Sequence, residues 1–587
     1  MSRHEVPVAA TGLLRTFAEA TMISPVDFHL ARRMAALSQE SDEQAELAFA
    51  LATRELRLGS VCLDLRSATA LARESGIEDG AVDEACDSLP WPEPETWLET
   101  VAASPAVARP GEEGRPFRLD GSFLYLERYW SEECLVEARL RHRSSLPAPA
   151  VDRETLRRAH QPLAGLEPDR EQDAAVLAAL SNATTVITGG PGTGKTTMVA
   201  RILSCLADGT RPPLVALAAP TGKAATRLMG AVADTLADDA GLRLRGVTLH
   251  KLLGVVPGRL RRTYQRDNLL PHDVVIVDET SMVSLTMMSW LLEALSDRTR
   301  LILIGDPDQL ASVEAGAVLA DIAHSKDLVA STAGSAVVQL QRNRRSNSEI
   351  GALATAIQSG AADEVIRLAT SGSAVSLEPY DGTESITAFD VLTTDLRGTA
   401  EAVRHAASRG DGDAANQALS SHRVLCAHRE GPFGVGRWSR EARLWLSEQF
   451  EGYGQGGGAW LGQPLLITRN SDMAANGDTA VVVQVDGRLM ASVDRGRGSV
   501  LVDPVLLDDA ADLHAMTIHK SQGSQFDVVS VVLPPVGSPL LTRELLYTAV
   551  TRARSKVRIY GSAEALRIAV ETPARRASGL GRRSATP

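Results

Sequence analysis

The sequence predicts an α/β protein built on two doubly wound parallel sheets, with a mainly helical region ahead of them and a small antiparallel β unit inserted in the second. Three observations carry this expectation. Short β-branched runs alternate with helical stretches from Thr184 onward, which is the rhythm of βαβ units. A turn of the form G-x-x-x-x-G-K-T follows the first of those runs and opens a helix. Apolar residues are 44% of the 587 while aromatics are only 4%, so Val, Leu, Ile and Ala supply most of the packing, which favours stacked helices and parallel strands.

Taken in order, residues 9–58 show apolar positions three and four apart and read as helices. The stretches Pro90-Trp-Pro-Glu-Pro and Arg109-Pro-Gly-Glu-Glu-Gly-Arg-Pro116 break that pattern, and a strand at 124–126 with a helix over 130–140 follows. Residues 1–145 are therefore expected to form one N-terminal domain. A Pro/Ala-rich linker is expected over 146–168. Strands at 184–188, 214–219, 274–277 and 301–304 place the first α/β domain over 169–336. A second one is expected over 337–570. Inside it, the Gly-rich run Gly452-Tyr-Gly-Gln-Gly-Gly-Gly458 and the Asp486-Gly487 hairpin signal between alternating strands point to a small inserted antiparallel barrel, about 455–510. Residues 571–587 hold four arginines and little apolar content, and a disordered basic tail is expected there.

A chain of this length is expected to fold as several units, each with its own core, and not as a small stapled scaffold. Its five cysteines are scattered, with no C-x-x-C pair or zinc-type Cys/His spacing, which points to a reducing, cytoplasmic setting without a structural metal. No apolar stretch is long enough to span a membrane. Net charge is −12, and residues 1–150 carry 15 Lys+Arg against 25 Asp+Glu, so the acidity sits in the N-terminal quarter. That region is a poor candidate for contact with phosphate backbone, whereas the near-neutral remainder can hold basic grooves.

The residues that carry chemistry begin with Gly189-Gly-Pro-Gly-Thr-Gly-Lys-Thr196. The backbone of Gly189, Gly190, Pro191, Gly192, Thr193 and Gly194 wraps phosphates at a helix N-terminus. Lys195 reaches the β and γ oxygens, Thr196 binds Mg²⁺ and Thr197 completes the nucleotide-binding set. Val274-Val-Ile-Val-Asp-Glu279 is an apolar strand ending in two acids: Asp278 to hold the Mg²⁺ shell, Glu279 to polarise the attacking water. Gly305-Asp-Pro-Asp-Gln-Leu310 follows the next strand, and Gln309 is the amide placed to sense the γ-phosphate. Seven Lys+Arg and Tyr264 crowd residues 241–270, a pattern shared by solvated loops and DNA-facing hairpins.

In order along the chain, these segments resemble motifs I, II and III of superfamily 1 helicases. Pro220-Thr-Gly-Lys-Ala224 resembles motif Ia, and Thr248-Leu-His-Lys-Leu-Leu-Gly254 the DNA-gripping segment after it. Leu340-Gln-Arg-Asn-Arg-Arg345 resembles motif IV, Thr517-Ile-His-Lys-Ser-Gln-Gly523 motif V and Tyr547-Thr-Ala-Val-Thr-Arg552 motif VI. The T-x-H-K-S-Q-G and G-D-P-x-Q-L signatures are similar to the 5′→3′ branch that contains the RecD family, the α subunits of exodeoxyribonuclease V. Gly59-Ser-Val-Cys-Leu-Asp-Leu65, Leu124-Tyr-Leu-Glu-Arg-Tyr-Trp130, Glu133 and Gly431-Pro-Phe-Gly-Val435 extend the resemblance over nearly the whole chain.

The resemblance implies two RecA-like motor domains, ATP and Mg²⁺ as cofactors, Gln172 reading adenine, and arginine fingers at Arg345 and Arg552. It also implies single-strand contacts through Thr221, Lys223, His250, Thr517, His519 and Lys520. It implies a heterotrimer with RecB-like and RecC-like subunits, the acidic N-terminal domain docking on the latter and any nuclease residing on a partner. A stand-alone RecD-like helicase carries a longer region ahead of its P-loop than the 188 residues present here, and a DNA-binding subunit without motor activity has no need of the intact Lys195, Glu279, Arg345 and Arg552. One position departs from the family pattern: Gln525 stands where an acidic residue is usual.

Overall fold

The computed structural model describes residues 6–582 except 71–87, 110, 148, 150, 152–154, 156–158, 160–168, 208–211, 237–241, 257–260, 331–334, 343–347, 456–457, 472, 497, 508 and 575. At the N-terminus, helices Gly12–Glu19, Pro25–Ser38, Glu43–Arg57 and Pro94–Ala103 pack on a small sheet. Its strands β1 (Cys62–Asp64), β2 (Val107–Ala108), β3 (Phe117–Asp120) and β4 (Phe123–Leu126) lie in the order β1-β4-β3-β2. Ser24 and Asp27 form a reciprocal capping box that starts the second helix. Phe49 and Phe117 stack at 4.1 Å in the core between helix and sheet.

The next helix, Glu127–Ser145, corrects the expected separation of residues 1–145 from the motor. Its Val136 and Leu140 belong to the same buried cluster as Leu285, Leu291, Leu301 and Leu303 of the first α/β domain. Arg143, near its end, donates to Thr184 Oγ1 (2.8 Å) and to the carbonyls of Ala183 (2.9 Å), Ser296 (3.1 Å) and Thr299. Its apolar face is covered by the motor together with Cys62 and Tyr125 of the N-terminal sheet, so one core joins the two. Most of the expected linker, 146–168, lies outside the described residues. A truncation that starts at residue 146 is therefore expected to aggregate: each buried aliphatic side chain it removes is worth roughly 2–5 kcal/mol. Size-exclusion chromatography is the check, and a monodisperse, ATPase-active truncation would show the helix to be dispensable.

The first motor sheet is wholly parallel, in the order β10-β5-β9-β8-β6-β7. Its strands are β5 (Thr184–Gly189), β6 (Leu214–Ala219), β7 (Arg243–Thr248), β8 (Val274–Val277), β9 (Arg300–Gly305) and β10 (Val337–Leu340). β10 corrects the expected boundary at 336/337. It pairs with β5 over Val337↔Val186 to Leu340↔Gly189, and Leu340 is buried in the first domain's core. The chain leaves the first sheet only after this strand.

The second motor sheet, also parallel, runs β11-β20-β19-β12-β18. It comprises β11 (Val375–Glu378), β12 (His422–Cys426), β18 (Ala515–Thr517), β19 (Phe526–Val532) and β20 (Ala553–Tyr560). Between β12 and β18 stand the helix Val435–Gln449 and the inserted antiparallel strands β13 (Pro464–Ile467), β14 (Thr479–Val485), β15 (Arg488–Asp494), β16 (Ser499–Val502) and β17 (Ala510–Asp512). Asp486 and Gly487, with φ of 51° and 76°, make the tight β14–β15 turn. The insertion is an open sheet, β16-β15-β14-β13-β17, and not the closed barrel expected, and its first strand starts at Pro464. Its two faces explain why. Val482, Ala491 and Val493 build a small core of the insertion's own, while Val481 and Val483 point the other way into the core of the second motor domain. With both faces covered there is no need to close.

The described residues 571–574 and 576–582 of the basic tail are ordered, which corrects the expected disorder there; residues 575 and 583–587 lie outside the described set. Leu580 is buried in the cluster shared by the N-terminal region and the first motor domain, and the Arg582 guanidinium lies 4.6 Å from the Phe123 ring centroid. One aliphatic anchor, two arginines that find carbonyls or a ring, and hydrogen bonds from residues 577–579 to Ser60 and Glu133 hold a segment whose composition reads as disordered. Among the described residues no helix is long and apolar enough to cross a membrane.

Candidate functional site

β5, β8 and β9 are neighbours, so the loops at their C-terminal ends converge, as ligand sites in open parallel sheets do. After β5 the chain turns through Gly192 and Gly194, both at φ above 80°, a conformation that side-chain-bearing residues resist. Thr193 Oγ1 donates to the Gly190 carbonyl at 2.9 Å and braces the turn. Lys195, first residue of the helix Lys195–Ala207, folds back so that Nζ donates to the carbonyls of Gly189 (2.5 Å) and Gly190 (3.1 Å). Thr197 is half-buried in the same first turn.

Lys195, Thr196, Asp278, Glu279, Gln309 and Arg552 line one cavity of about 70 Å³ beneath the loop. It lies beside a cavity of about 560 Å³ bounded by Gly189, Pro191, Asp306, Tyr547 and Arg554, large enough for a nucleotide. Burial, reinforced by Glu279, pushes the Asp278 carboxyl up to about 6 although Lys195 opposes it. A half-buried, desolvated carboxylate that shares a cavity with the Thr196 hydroxyl suits a hard divalent cation. Glu279 adopts φ of 51°, a left-handed conformation rare for a side-chain-bearing residue, and that turns it into the cavity. Gln172 is buried in the helix Arg170–Ser181, and its Nε2 has no hydrogen-bond partner among the described residues. A Cβ on Gly194 would fall 2.5 Å from that nitrogen, so the amide abuts the phosphate loop.

The two motor domains interlock across this cleft. Gln309 Nε2 donates to Asp306 Oδ2 (2.8 Å), and Gln309 Oε1 accepts from Arg552 Nη2 (3.1 Å). Tyr547 OH donates to the same Asp306 Oδ2 at 3.1 Å. Thr548 Oγ1 accepts from Leu310 N (2.9 Å), Gln522 Nε2 donates to the Leu310 carbonyl (2.9 Å), and Arg227 Nη1 donates to the Gly523 carbonyl (2.9 Å). Asp306, Tyr547, Gln522 and Arg227 were not singled out from the sequence, although all but Arg227 fall inside the motifs. What would have marked Asp306 is an acid buried directly after an apolar strand, and burial pushes its carboxyl upward. Gln525 lines both cavities, so the residue that departs from the family pattern sits at the nucleotide cleft. Arg345 lies outside the described residues, but the strand leading to it is held where Glu171 accepts from the backbone N–H groups of Gln341 (2.8 Å) and Arg342 (3.3 Å).

On another side of the domain junction, a groove of about 1080 Å³ is lined by Thr221, Lys223, Thr517, His519 and Lys520 together with Pro432 and Phe433. Thr221 and Thr517 both stand at the C-terminal end of a strand, Thr221 two residues after β6 and Thr517 as the last residue of β18. Thr221 Oγ1 caps the helix Gly222–Thr235 by accepting from Ala224 N (3.3 Å), and Thr517 Oγ1 accepts from Lys520 N (3.3 Å). Burial lowers the Lys223 ammonium, with Asp494 and Asp478 of the inserted sheet pulling it back. Desolvation, with Arg576 and Arg429 adding to it, lowers His519 and so favours its neutral imidazole. His250 does not line this groove. It is exposed on the short helix Leu249–Leu253, which Thr248 caps. Of the basic run over 241–270, the described part includes the edge strand β7, and residues 257–260 lie outside the described set.

Comparison with known proteins agrees with this geometry. The family model for the N-terminal domain of RecBCD enzyme subunit RecD matches residues 19–125, an AAA domain model matches 172–315 and a UvrD-like helicase C-terminal domain model matches 512–560. The RecBCD enzyme subunit RecD of Mycolicibacterium smegmatis is 46% identical, with 97% of this chain and 99% of that one covered. The chain belongs to the RecD family. The RecD subunit of Mycobacterium tuberculosis is likewise 46% identical over 98% of this chain and 97% of its own. The ATP-dependent RecD2 DNA helicase of Deinococcus radiodurans is 31% identical over 68% of this chain and 50% of its own. As a RecD-family member the chain is a nucleotide-binding DNA helicase motor with RecA-like α/β domains.

Within this RecD-family cleft, Glu279→Gln separates binding from turnover. The phosphate contacts of the loop and Lys195 remain while the carboxylate that would activate water is lost, so the variant is expected to bind nucleotide as wild type does and to hydrolyse it at least about 10²-fold more slowly. Fluorescent-nucleotide titration beside a phosphate-release assay reads both quantities.

Proposed function

We propose that this chain is an ATP-driven 5′→3′ single-strand translocase, the motor subunit of a cytoplasmic RecBCD-like heterotrimer that unwinds and processes double-strand DNA ends for repair. RecB-like and RecC-like subunits are its partners, with nuclease activity on one of them. The observation that carries the proposal is the Gln309–Arg552 hydrogen bond, which ties the residue beside the γ-phosphate position to an arginine of the opposite domain. ATP is held by the loop Gly189–Gly194, Lys195 and Thr197, with Gln172 on its base. Thr196 and Asp278 would hold Mg²⁺, which would supply positive charge at the phosphates. Lys195 works from the first domain and Arg552 from the second, with Arg345 as a further arginine finger, so hydrolysis requires the cleft to close, and nucleotide state becomes inter-domain distance.

A strand lying in the groove rests on both domains at once, on Thr221 and Lys223 from one and Thr517, His519 and Lys520 from the other. Alternate closing and opening then ratchets it. These are backbone-phosphate contacts without base readout, so binding is expected to be sequence-tolerant and to weaken with salt. His250 serves the same strand outside the groove. The full-length match to RecD subunits supports a subunit over a stand-alone helicase. Direction of travel is tested by streptavidin displacement from single-stranded DNA biotinylated at one end. Faster displacement at the 3′ end is expected, and faster displacement at the 5′ end overturns the polarity. Co-purification of two larger helicase-nuclease subunits with the native chain tests the assembly.

A further inference from the structure

The N-terminal signature residues have a partner inside the chain. After the last helix of the second motor domain, Ala563–Glu571, the tail crosses to the first motor domain and then to the N-terminal region. Val61 N donates to the Ala577 carbonyl (2.8 Å), and Ser60 Oγ accepts from Ala577 N (3.3 Å). Glu133 Oε1 accepts from Ser578 Oγ (2.9 Å) and Gly579 N (3.0 Å), and its Oε2 accepts from Tyr125 OH (3.0 Å). Gly59-Ser-Val61, Tyr125 and Glu133 thus form a seat for residues 577–579, and Leu580 closes it as a buried anchor.

Seated this way, the tail aims Arg576 at one loop of the motor. Its Nη1 donates to the Ser312 carbonyl (2.5 Å) and lies 3.3 Å from that of Glu314 and 3.5 Å from that of Gly316. Gly316 N in turn donates to the Gly59 carbonyl at 3.0 Å. The clamped loop has functional groups at both ends. Gln309 and Leu310, at its start, bond to Arg552 and Thr548 across the nucleotide cleft, while Val313 at its tip is 79% exposed and lines the DNA groove. The clamp leaves no room for a side chain beneath it: a Cβ on Gly59, at φ of 97°, would lie 2.9 Å from the Arg576 Cζ.

We infer that Arg576 is a positioning residue for DNA-dependent ATP hydrolysis: carried on a tail that the N-terminal region holds, it fixes the loop joining Gln309 to the DNA groove. The inference rests on the motor function proposed above. Occupancy of the groove at Val313 reaches Gln309 through a loop whose carbonyls are fixed, and a freed loop transmits less. The N-terminal region thereby contributes to the motor from a distance, in addition to any partner it docks.

The test measures ATP hydrolysis by the full-length chain against oligo-dT concentration for wild type, Arg576→Ala, Arg576→Lys and Gly59→Ala, with melting temperature recorded for each. Arg576→Ala is expected to raise the half-saturating DNA concentration about fivefold or more, the order of inter-site coupling changes, while the KM for ATP at saturating DNA stays within about twofold. Arg576→Lys, which keeps one cationic donor, should recover most of the loss. Gly59→Ala should reproduce the alanine effect from the N-terminal region by displacing the guanidinium. Unchanged DNA dependence in a folded Arg576→Ala protein, or a lowered melting temperature with unchanged DNA dependence, overturns the inference. If Arg576→Ala does not fold, a folded Gly59→Ala protein with wild-type DNA dependence overturns it. Absence of DNA stimulation in the wild type would instead refute the motor function.

Discussion

Lys195→Gln is expected to abolish DNA-stimulated ATP hydrolysis, a loss of more than about 10³-fold, with the fold intact. In the proposed mechanism the ammonium is a first-domain cation for the β and γ phosphates, and in the present arrangement it donates to the carbonyls of Gly189 and Gly190. Glutamine retains an N–H donor one bond shorter, and Thr193 still braces the Gly190 carbonyl, so the turn is expected to keep its shape. It brings no charge to the phosphates. The side chain stands on the loop beside the cavity and not in the core beneath, so packing is untouched. Phosphate release in the presence of oligo-dT, with circular dichroism as the folding control, checks both halves. Near-normal turnover would remove Lys195 from the site.

Arg552→Ala is expected to slow turnover on the order of 10³-fold or more, the scale of a lost arginine finger. The residue is buried, and burial lowers its guanidinium against the pull of Glu279. Its Nε donates to the Thr548 carbonyl (3.0 Å) while Nη2 reaches Gln309, so one side chain is fixed in its own domain and extends into the other. Alanine removes the charge and leaves Gln309 Oε1 without this inter-domain partner. Arg552→Lys restores the charge without the planar fork and should recover only part of the rate, because the two hydrogen bonds leave in different directions. Single-turnover hydrolysis with DNA in excess separates this defect from weakened DNA binding, and a rate within tenfold of wild type for the alanine variant would exclude the finger.

The ATP cleft was largely legible in the sequence because its parts are local. A strand, a glycine turn and a helix N-terminus are contiguous from Thr184 to Thr196, and the same holds for Asp278 and Glu279 at the end of β8. The Asp486-Gly487 turn was legible for the same reason, since two residues with positive φ between alternating strands specify a hairpin without outside help. The extent of the first sheet was not. β10 follows a long excursion from β9, and only its pairing with β5 assigns it to that sheet. The closed barrel failed on a similar point: alternation shows that a strand has two faces, but not that Val481 and Val483 find a second core.

By itself, then, the sequence determined the chemistry-bearing loops, the parallel-sheet rhythm and the family, because each is written in residues near one another along the chain. The tertiary structure alone decided which distant surfaces meet. Arg552 and Gln309 are 243 positions apart, and Arg576 reaches Ser312 across 264. The helix Glu127–Ser145 became part of the motor's core because its apolar face found Leu285 and Leu291 uncovered. The tail became a clamp for the same kind of reason. Its composition offers too little apolar area to order it alone, and order came from carbonyls, a carboxylate and a pocket that other parts of the fold present. Local periodicity records what a segment can bury, and the partner that buries it is a property of the assembled chain.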